Sequence, residues 1–255
     1  MLMSAIIGHR GARGLAAENT LDAITMAASL GVRWVELDVR LTRDQVPILF
    51  HDAYLNKLSK GRGELAKQDY KSLKDVLVRA PVNKKSACAQ PLADLASALS
   101  LAADLGLGVN LEIKPAHSSK EYLIIQRVEQ VVRQYPGLPL VISSFSFGVL
   151  KEAQQLLPQL PRACLWEHLP RNWQEQAFKL EARSVHLSAT WLKRSHVAAI
   201  RAQGKEVYVY TVNSTTQAEQ LFSWGVTGIF TDYPQLFEHK LNQPVAPCKP
   251  FGSAI

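Results

Sequence analysis

Between Val35 and Asp52 the chain reads VELDVRLTRDQVPILFHD. Two acids, Glu36 and Asp38, stand two residues apart in an apolar run with the character of a β-strand, so they point to one face while Val35, Leu37 and Val39 point to the other. A buried carboxylate without a partner is costly, and two side by side repel. Such a pair must reach solvent, find cations or hold a metal ion. The segment NLEIKP repeats the arrangement, with Glu112 and Lys114 on one face and Leu111 and Ile113 on the other. Three carboxylates with no thiolate cluster form a hard-oxygen site suited to one divalent cation, Mg2+ or Ca2+, with waters left over for substrate oxygens. His9, beside Arg10 in GHRGA, and His51, at the end of the second apolar run, can exchange protons near neutral pH. The bland alternative is a structural ion-pair network in which the acids meet Arg10, Arg40 or Lys114, since such networks also sit in clefts.

These residues can act together only if the chain brings them to one place. Short β-branched runs alternate with longer helical patterns, which is the signature of βα units. Strands are expected at Ala5–Gly8, Trp34–Val39, Val46–Phe50, Val109–Ile113, Leu140–Ser143, Ala163–Trp166, Ser184–Leu187, Val207–Thr211 and Gly228–Phe230. Helical patterns fall between most of them, including Glu18–Leu30, Pro91–Leu105 and Lys120–Tyr135. The link RLTRDQ is too short for a parallel crossover and must be a hairpin. With Asp44 and Gln45 at its tip, Phe50 falls opposite Val39 and His51 opposite Asp38.

Setting that return strand aside leaves eight βα units, the count of a (β/α)8 TIM barrel with a small insertion after the second strand and its hairpin. The rival, an open doubly wound sheet, lacks its glycine fingerprint, since GHRGARG does not have GxGxxG spacing. The expected organisation is one barrel over residues 1–240, an insertion at 53–90 that shapes the pocket, and an irregular tail at 241–255 with three prolines. Barrel chemistry gathers at the C-terminal ends of the strands. The ends here deliver His9 and Arg10, Glu36 and Asp38, His51 and Asp52, Glu112 and Lys114, Ser143 and Ser144, Tyr210 and Asn213, and Asp232. Asp52 and Asn213 have ready structural explanations as turn and helix caps, and Ser143 and Ser144 as partners for backbone groups.

The whole chain narrows the function class. At 255 residues and 47% hydrophobic it can bury a large core, and its composition is neither disordered nor fibrous. The net charge of +7 favours an anionic substrate. The basic residues are scattered, without the aromatic-interleaved stripe of a nucleic-acid groove, so the expected partner is a small molecule and no nucleic acid. No apolar run approaches a membrane span, which argues against stable membrane insertion. Cys88, Cys164 and Cys248 are few, odd in number and in no metal-binding pattern, as suits a reducing, cytoplasmic setting.

Taken in order, HRG (His9 to Gly11), ENT (Glu18 to Thr20), ELDVRLTRDQVPILFHD (Glu36 to Asp52), LEIKP (Leu111 to Pro115), SSF (Ser143 to Phe145), YTVN (Tyr210 to Asn213) and GVTGIFTDYP (Gly225 to Pro234) resemble the glycerophosphodiester phosphodiesterase family of the bacterial cytoplasmic type. The resemblance implies metal-dependent hydrolysis of glycerophosphodiesters such as glycerophosphocholine or glycerophosphoethanolamine to glycerol 3-phosphate and an alcohol. It also implies a cation held by Glu36, Asp38 and Glu112, catalytic histidines at His9 and His51, and phosphate contacts from Arg10 and Lys114. The sequence departs from the family where Tyr210 replaces a frequent Trp and where Lys57 and Leu58 replace an Arg-Thr pair, both matters of substrate shape. The alternatives are a phosphodiesterase similar to lysophospholipase D or sphingomyelinase D, or a non-catalytic phosphate-binding barrel.

Overall fold

The computed structural model describes residues 3–81, 87–116 and 121–241. Strand β1 (Ile6–Gly8) leads to helix α1 (Leu21–Ser29), β2 (Trp34–Leu41) and its antiparallel return β3 (Pro47–Leu49). The next stretch carries α2 (Tyr70–Leu73) and a two-stranded ribbon, β4 (Leu77–Val78) with β5 (Gln90–Pro91). Then α3 (Leu95–Asp104), β6 (Gly108–Ile113), α4 (Glu121–Val132), β7 (Leu140–Ser144), α5 (Phe147–Leu156) and β8 (Arg162–Trp166) alternate. The alternation continues through α6 (Trp173–Lys179), β9 (Ser184–Ser188), α7 (Arg194–Ala202), β10 (Glu206–Tyr210), α8 (Thr215–Ser223) and β11 (Gly228–Thr231), and the described chain ends in α9 (Glu238–Leu241).

Strands β1, β2, β6, β7, β8, β9, β10 and β11 pair in parallel, and β1 closes the ring by pairing with both β11 and β2. This is the expected (β/α)8 barrel. All nine expected strands form, within a residue or two at most ends. The anticipated tail lies outside the described residues from position 242 onward.

Alternation along each strand sorts the side chains. On β2, Val35, Leu37 and Val39 face the helices and join one core with Ile24 and Ala27 of α1 and Leu99 of α3. Each such aliphatic side chain, fully buried, contributes about 1.5–3 kcal/mol. Glu36 and Asp38 are thereby turned into the barrel lumen. The lower lumen is plugged by Met3, Ile7, Trp34, Val141, Ala163, Tyr208 and Phe230, so the acids sit above a dry floor at the C-terminal end.

Several expected boundaries differ, among them the start of α3, which begins at Leu95 and not at Pro91 because Asp94 caps it by accepting from Ser97 N. The hairpin closes on a three-residue loop: Thr42 N donates to Val46 O at 3.1 Å, and Gln45 takes a left-handed φ of 66°. A three-residue loop with its last position left-handed is a standard alternative to the two-residue turn. It shifts the register by one, so Val39 faces Leu49, and Phe50 N donates to Asp38 O at 3.0 Å. Helix α1 starts at Leu21, not at Glu18, because Asn19 is left-handed (φ 56°) and Thr20 caps the helix by accepting from Ala23 N. The residues ENT therefore remain free to serve the site.

The stretch after β3 has its own small core, in which Leu55, Leu65, Leu73, Val78 and Leu92 pack on Ile48 and Phe50. It stands over the mouth of the barrel beside β2 and β6.

Gly11 joins β1 to the site loop at φ +83°, and a Cβ there would meet Ala23 atoms at 2.6–2.7 Å. Gly11→Ala is expected to cost about 2–4 kcal/mol, combining a left-handed non-glycine residue with overpacking. A urea titration showing an unchanged midpoint would contradict this account of the loop.

Candidate active site

The three acids converge as the strand register requires, because Asp38 of β2 lies level with Glu112 of β6, and Glu36 with Asn110 one step below. One oxygen from each of Glu36, Asp38 and Glu112 lies within 4.8 Å of the others. The three residues are nearly sealed, at 4%, 1% and 9% exposure. Their partners are unequal. Asp38 takes Asn19 Nδ2 at 2.8 Å, Arg10 Nε at 3.3 Å and Lys114 Nζ at 3.3 Å, while its own N–H donates to Asn19 Oδ1 at 3.0 Å. Glu112 is bonded by Lys114. Glu36 Oε2 accepts only the Arg10 backbone N–H, at 2.9 Å, and among the described residues Oε1 has no partner. Arg40, a third candidate cation, turns instead to His51, donating Nε to its carbonyl at 2.8 Å.

The titration shifts follow this inequality. Burial pushes Asp38 up, but Lys114 and Arg10 outweigh it, and the carboxyl lies well below its ordinary range. Burial together with the neighbouring Asp38 and Glu112 charges raises Glu36 well above its ordinary value. Glu112 rises to about 6, where burial and Asp38 prevail over Lys114. Burial opposes the charged forms of Arg10 and Lys114, yet the surrounding carboxylates hold both above their usual values. The structural ion-pair reading therefore accounts for Asp38 and in part for Glu112, and among the described residues leaves Glu36 with no Lys or Arg side chain at ion-pair distance. An unpaired oxygen on a buried acid beside two like charges is what a hard divalent cation would neutralise.

Both histidines reach the same pocket, a cavity of about 160 Å3 that also touches Arg10, Arg13, Glu36, Glu112 and Lys114. His9 Nδ1 lies 2.6 Å from Asp232 Oδ1, and its Nε2 is 3.9 Å from Glu36 Oε2. His51 Nδ1 lies 2.6 Å from Asp52 Oδ1. A carboxylate at Nδ1 fixes the tautomer and leaves Nε2 to the pocket. Burial lowers both imidazoles from their ordinary value; the Asp232 bond opposes it at His9, and the Asp38 charge at His51.

Several roles escaped the sequence reading. Asp52 holds His51 in place of capping a turn. Asn213 does not cap α8, which Ser214 does by accepting from Gln217 N; it clamps Asp232 through Nδ2 to Oδ2 at 2.9 Å and Oδ1 to the Asp232 N–H at 2.9 Å. Ser144 keeps the bland role, donating to Ile113 O at 2.7 Å. Glu18 binds Arg10 at 2.6 Å and Arg13 at 3.3 Å, so ENT is the brace of the acid cluster. The signal for Glu18 and Asn19 was their presence in a short polar block before a helix, which by itself reads as a cap. A wider recess of about 420 Å3 adjoins the pocket across Glu112, Lys114 and Phe145, with Tyr54, Glu64 and Leu65 of the post-β3 segment forming its far wall.

Residues 9–236 match the glycerophosphoryl diester phosphodiesterase family. The chain is 29% identical to a glycerophosphodiester phosphodiesterase of Bacillus altitudinis over 91% of this chain and 96% of that one. It is 27% identical to a glycerophosphodiester phosphodiesterase of Bacillus subtilis over 93% and 86% of the two chains. Among solved structures it is similar to the Oleispira antarctica phosphodiesterase OLEI02445 in complex with the product sn-glycerol-3-phosphate, with a TM-score of 0.87, 30% identity, and coverage of 94% of this chain and 98% of that one.

A metal site and a closed ion-pair network predict opposite outcomes for Glu36→Gln. If the cluster awaits a cation, removing the unpaired charge raises the melting temperature of chelator-treated protein, by about 2–4 °C for each kcal/mol of repulsion removed at this size. The same change abolishes the further rise that Mg2+ or Ca2+ gives the unaltered protein. Since burial and the neighbouring charges raise Glu36, ionising it in the folded protein costs stability at higher pH, and that cost is lost as pH falls, so the gain from the substitution should shrink toward acid pH. Thermal melts with and without cation at two pH values check both signs.

Proposed function

Because the chain belongs to the glycerophosphoryl diester phosphodiesterase family, we propose that it hydrolyses glycerophosphodiesters, deacylated phospholipids such as glycerophosphocholine or glycerophosphoethanolamine, to glycerol 3-phosphate and an alcohol. The observation that carries the reading is the pairing of two carboxylate-anchored imidazoles with Arg10 and Lys114 in one small pocket beside three buried acids. The similar Oleispira antarctica phosphodiesterase, complexed with the product sn-glycerol-3-phosphate, supports the same chemistry.

Glu36, Asp38 and Glu112 would hold one divalent cation, Mg2+ or Ca2+, as their all-oxygen donor set suits. When bound, such an ion polarises phosphoryl oxygens and offsets charge gained in the transition state. Arg10 and Lys114, kept protonated by the acids around them, orient the phosphodiester and add positive charge where negative charge accumulates. One of His9 and His51 takes the proton of the attacking oxygen at its Nε2, and the other delivers a proton to the departing alkoxide. Asp232 and Asp52 keep each ring facing the reacting group, and Asn213 keeps Asp232 from turning away.

The catalytic unit is residues 1–240, with 53–90 inserted after the hairpin and supplying one wall of the recess beside the pocket. A small, water-soluble substrate needs no membrane anchor, and among the described residues no helix is long and apolar enough to cross a membrane. Two described cysteines, exposed Cys88 and buried Cys164, are both free thiols, which suits a cytoplasmic setting.

Purified protein given glycerophosphoethanolamine and Mg2+ or Ca2+ is expected to release glycerol 3-phosphate, and a chelator to stop it. His9→Ala and His51→Ala should each lower kcat by about 10²–10⁴-fold with unchanged circular dichroism and melting temperature. Near-normal turnover in either variant refutes its role, and binding without product at any cation concentration points to a non-catalytic barrel.

A further inference from the structure

Outside the acid cluster, one cation at the mouth of the barrel has no acid of its own. Arg40 follows Glu36 and Asp38 on the same face of β2 and is half-buried. Its Nε donates to His51 O at 2.8 Å, and among the described residues no hydrogen bond or ion pair engages the rest of the guanidinium. The carboxylates nearest in charge are all taken. Asp38 pairs with Lys114 and Arg10, Glu112 with Lys114, and Asp52 with His51. Arg40 lines the recess of about 420 Å3 that adjoins the reaction pocket, together with Lys114, Tyr54, Glu64 and Phe145. Even there the one acid on the far wall, Glu64, is neutralised by Lys67 at 2.9 Å. A partly desolvated fork of donors with no counter-charge suits an anion delivered from solution.

The kind of anion follows from the rest of the recess. It shares Glu112, Lys114 and Phe145 with the reaction pocket, so one diester can place its phosphate in the pocket and its alcohol portion in the recess. A quaternary ammonium on that alcohol would need open ring faces. Phenylalanine 145 does not offer a free one, because Lys114 Nζ already stands 5.8 Å from the centroid of Phe145. Tyr54 alone, 57% exposed, makes no cage, and Arg40 would repel the cation. A neutral alcohol leaves the guanidinium unused. A phosphate monoester brings three oxygens and up to two charges to a single fork, and most of them stay unmet. One carboxylate matches one guanidinium, oxygen for nitrogen.

We propose that Arg40 is a specificity-determining residue that binds a carboxylate carried by the alcohol portion of the substrate. The inference rests on the phosphodiesterase reading and names the members of that class the site takes best, diesters of an amino-acid-like alcohol ahead of those of choline or ethanolamine. The carboxylate takes no part in breaking the phosphorus–oxygen bond. Its contact with Arg40 is therefore equal in the ground and transition states and acts through KM, with little effect on kcat. A substrate with one more negative charge also gains from the net charge of +7 during its approach.

The test uses glycerophosphoserine and glycerophosphoethanolamine, which differ by a single carboxylate, and glycerol 3-phosphate release reads both reactions. With Mg2+ or Ca2+ in excess, the unaltered enzyme should favour the serine diester about tenfold or more in kcat/KM, the worth of one charge-assisted contact, and mainly through KM. Arg40→Gln should bring that preference to within about twofold of unity, as expected when one such contact is lost. Any slowing caused by the lost bond to the His51 carbonyl falls on both diesters and cancels in the ratio. Equal use of the two diesters by the unaltered enzyme, or a preference for the ethanolamine diester, overturns the proposal. So does a serine preference that survives Arg40→Gln. Hydrolysis of neither diester brings down the phosphodiesterase reading as well, an outcome distinct from loss of selectivity alone.

Discussion

Three carboxylates within 4.8 Å of one another, all nearly sealed from solvent, are the constraint to which the mouth of this barrel answers. Packed so closely they cannot all ionise without compensation. The chain supplies part of it: Lys114 serves Glu112 and Asp38, Arg10 serves Asp38, and Asn19 grips Asp38 from both sides. It stops short at Glu36, whose only hydrogen-bond donor among the described residues is a backbone N–H. A network evolved solely for stability has no reason to leave that oxygen unpaired, because a buried ion pair barely repays its desolvation even when complete.

Much of the local architecture follows from holding those acids. The left-handed turn at Asn19 delays α1 until Leu21 and puts the amide of Asn19 against Asp38. Arg10, also left-handed at φ 53°, presents its N–H to Glu36 while its guanidinium reaches Asp38 and Glu18. Gly11 lets the loop press onto α1 where a Cβ would collide with Ala23. The hairpin return of β3 is the shortest route by which a second histidine can be delivered beside β2.

The pocket has two chemical sides. One is ionic and carries Arg10, Lys114, Glu36 and Glu112; the other is neutral, built of Asn110, His186, Tyr210, Leu165 and Phe230. The two imidazoles lie in the pocket with them, each tethered at Nδ1 by a carboxylate from a different part of the chain: Asp52, the next residue, for His51, and Asp232, from the last barrel strand's end, for His9.

The sequence by itself determined the barrel, its nine strands, the hairpin, and which acids and histidines share the mouth, because strand parity and βα alternation are local properties that tertiary packing did not override. Proximity of Glu36, Asp38 and Glu112 followed from parity plus the rule that barrel sites lie at strand ends. What parity does not encode is distance across the ring or the partner each side chain selects. Only the folded structure decided that Lys114 and Arg10 pair with Asp38 and not with Glu36, that Arg40 turns away to the His51 carbonyl, and that Asp232 and Asn213 serve His9 from more than two hundred residues away. The hairpin register also had to come from the turn, since a two-residue and a three-residue loop fit the same pattern of apolar and polar residues and differ only in backbone dihedrals.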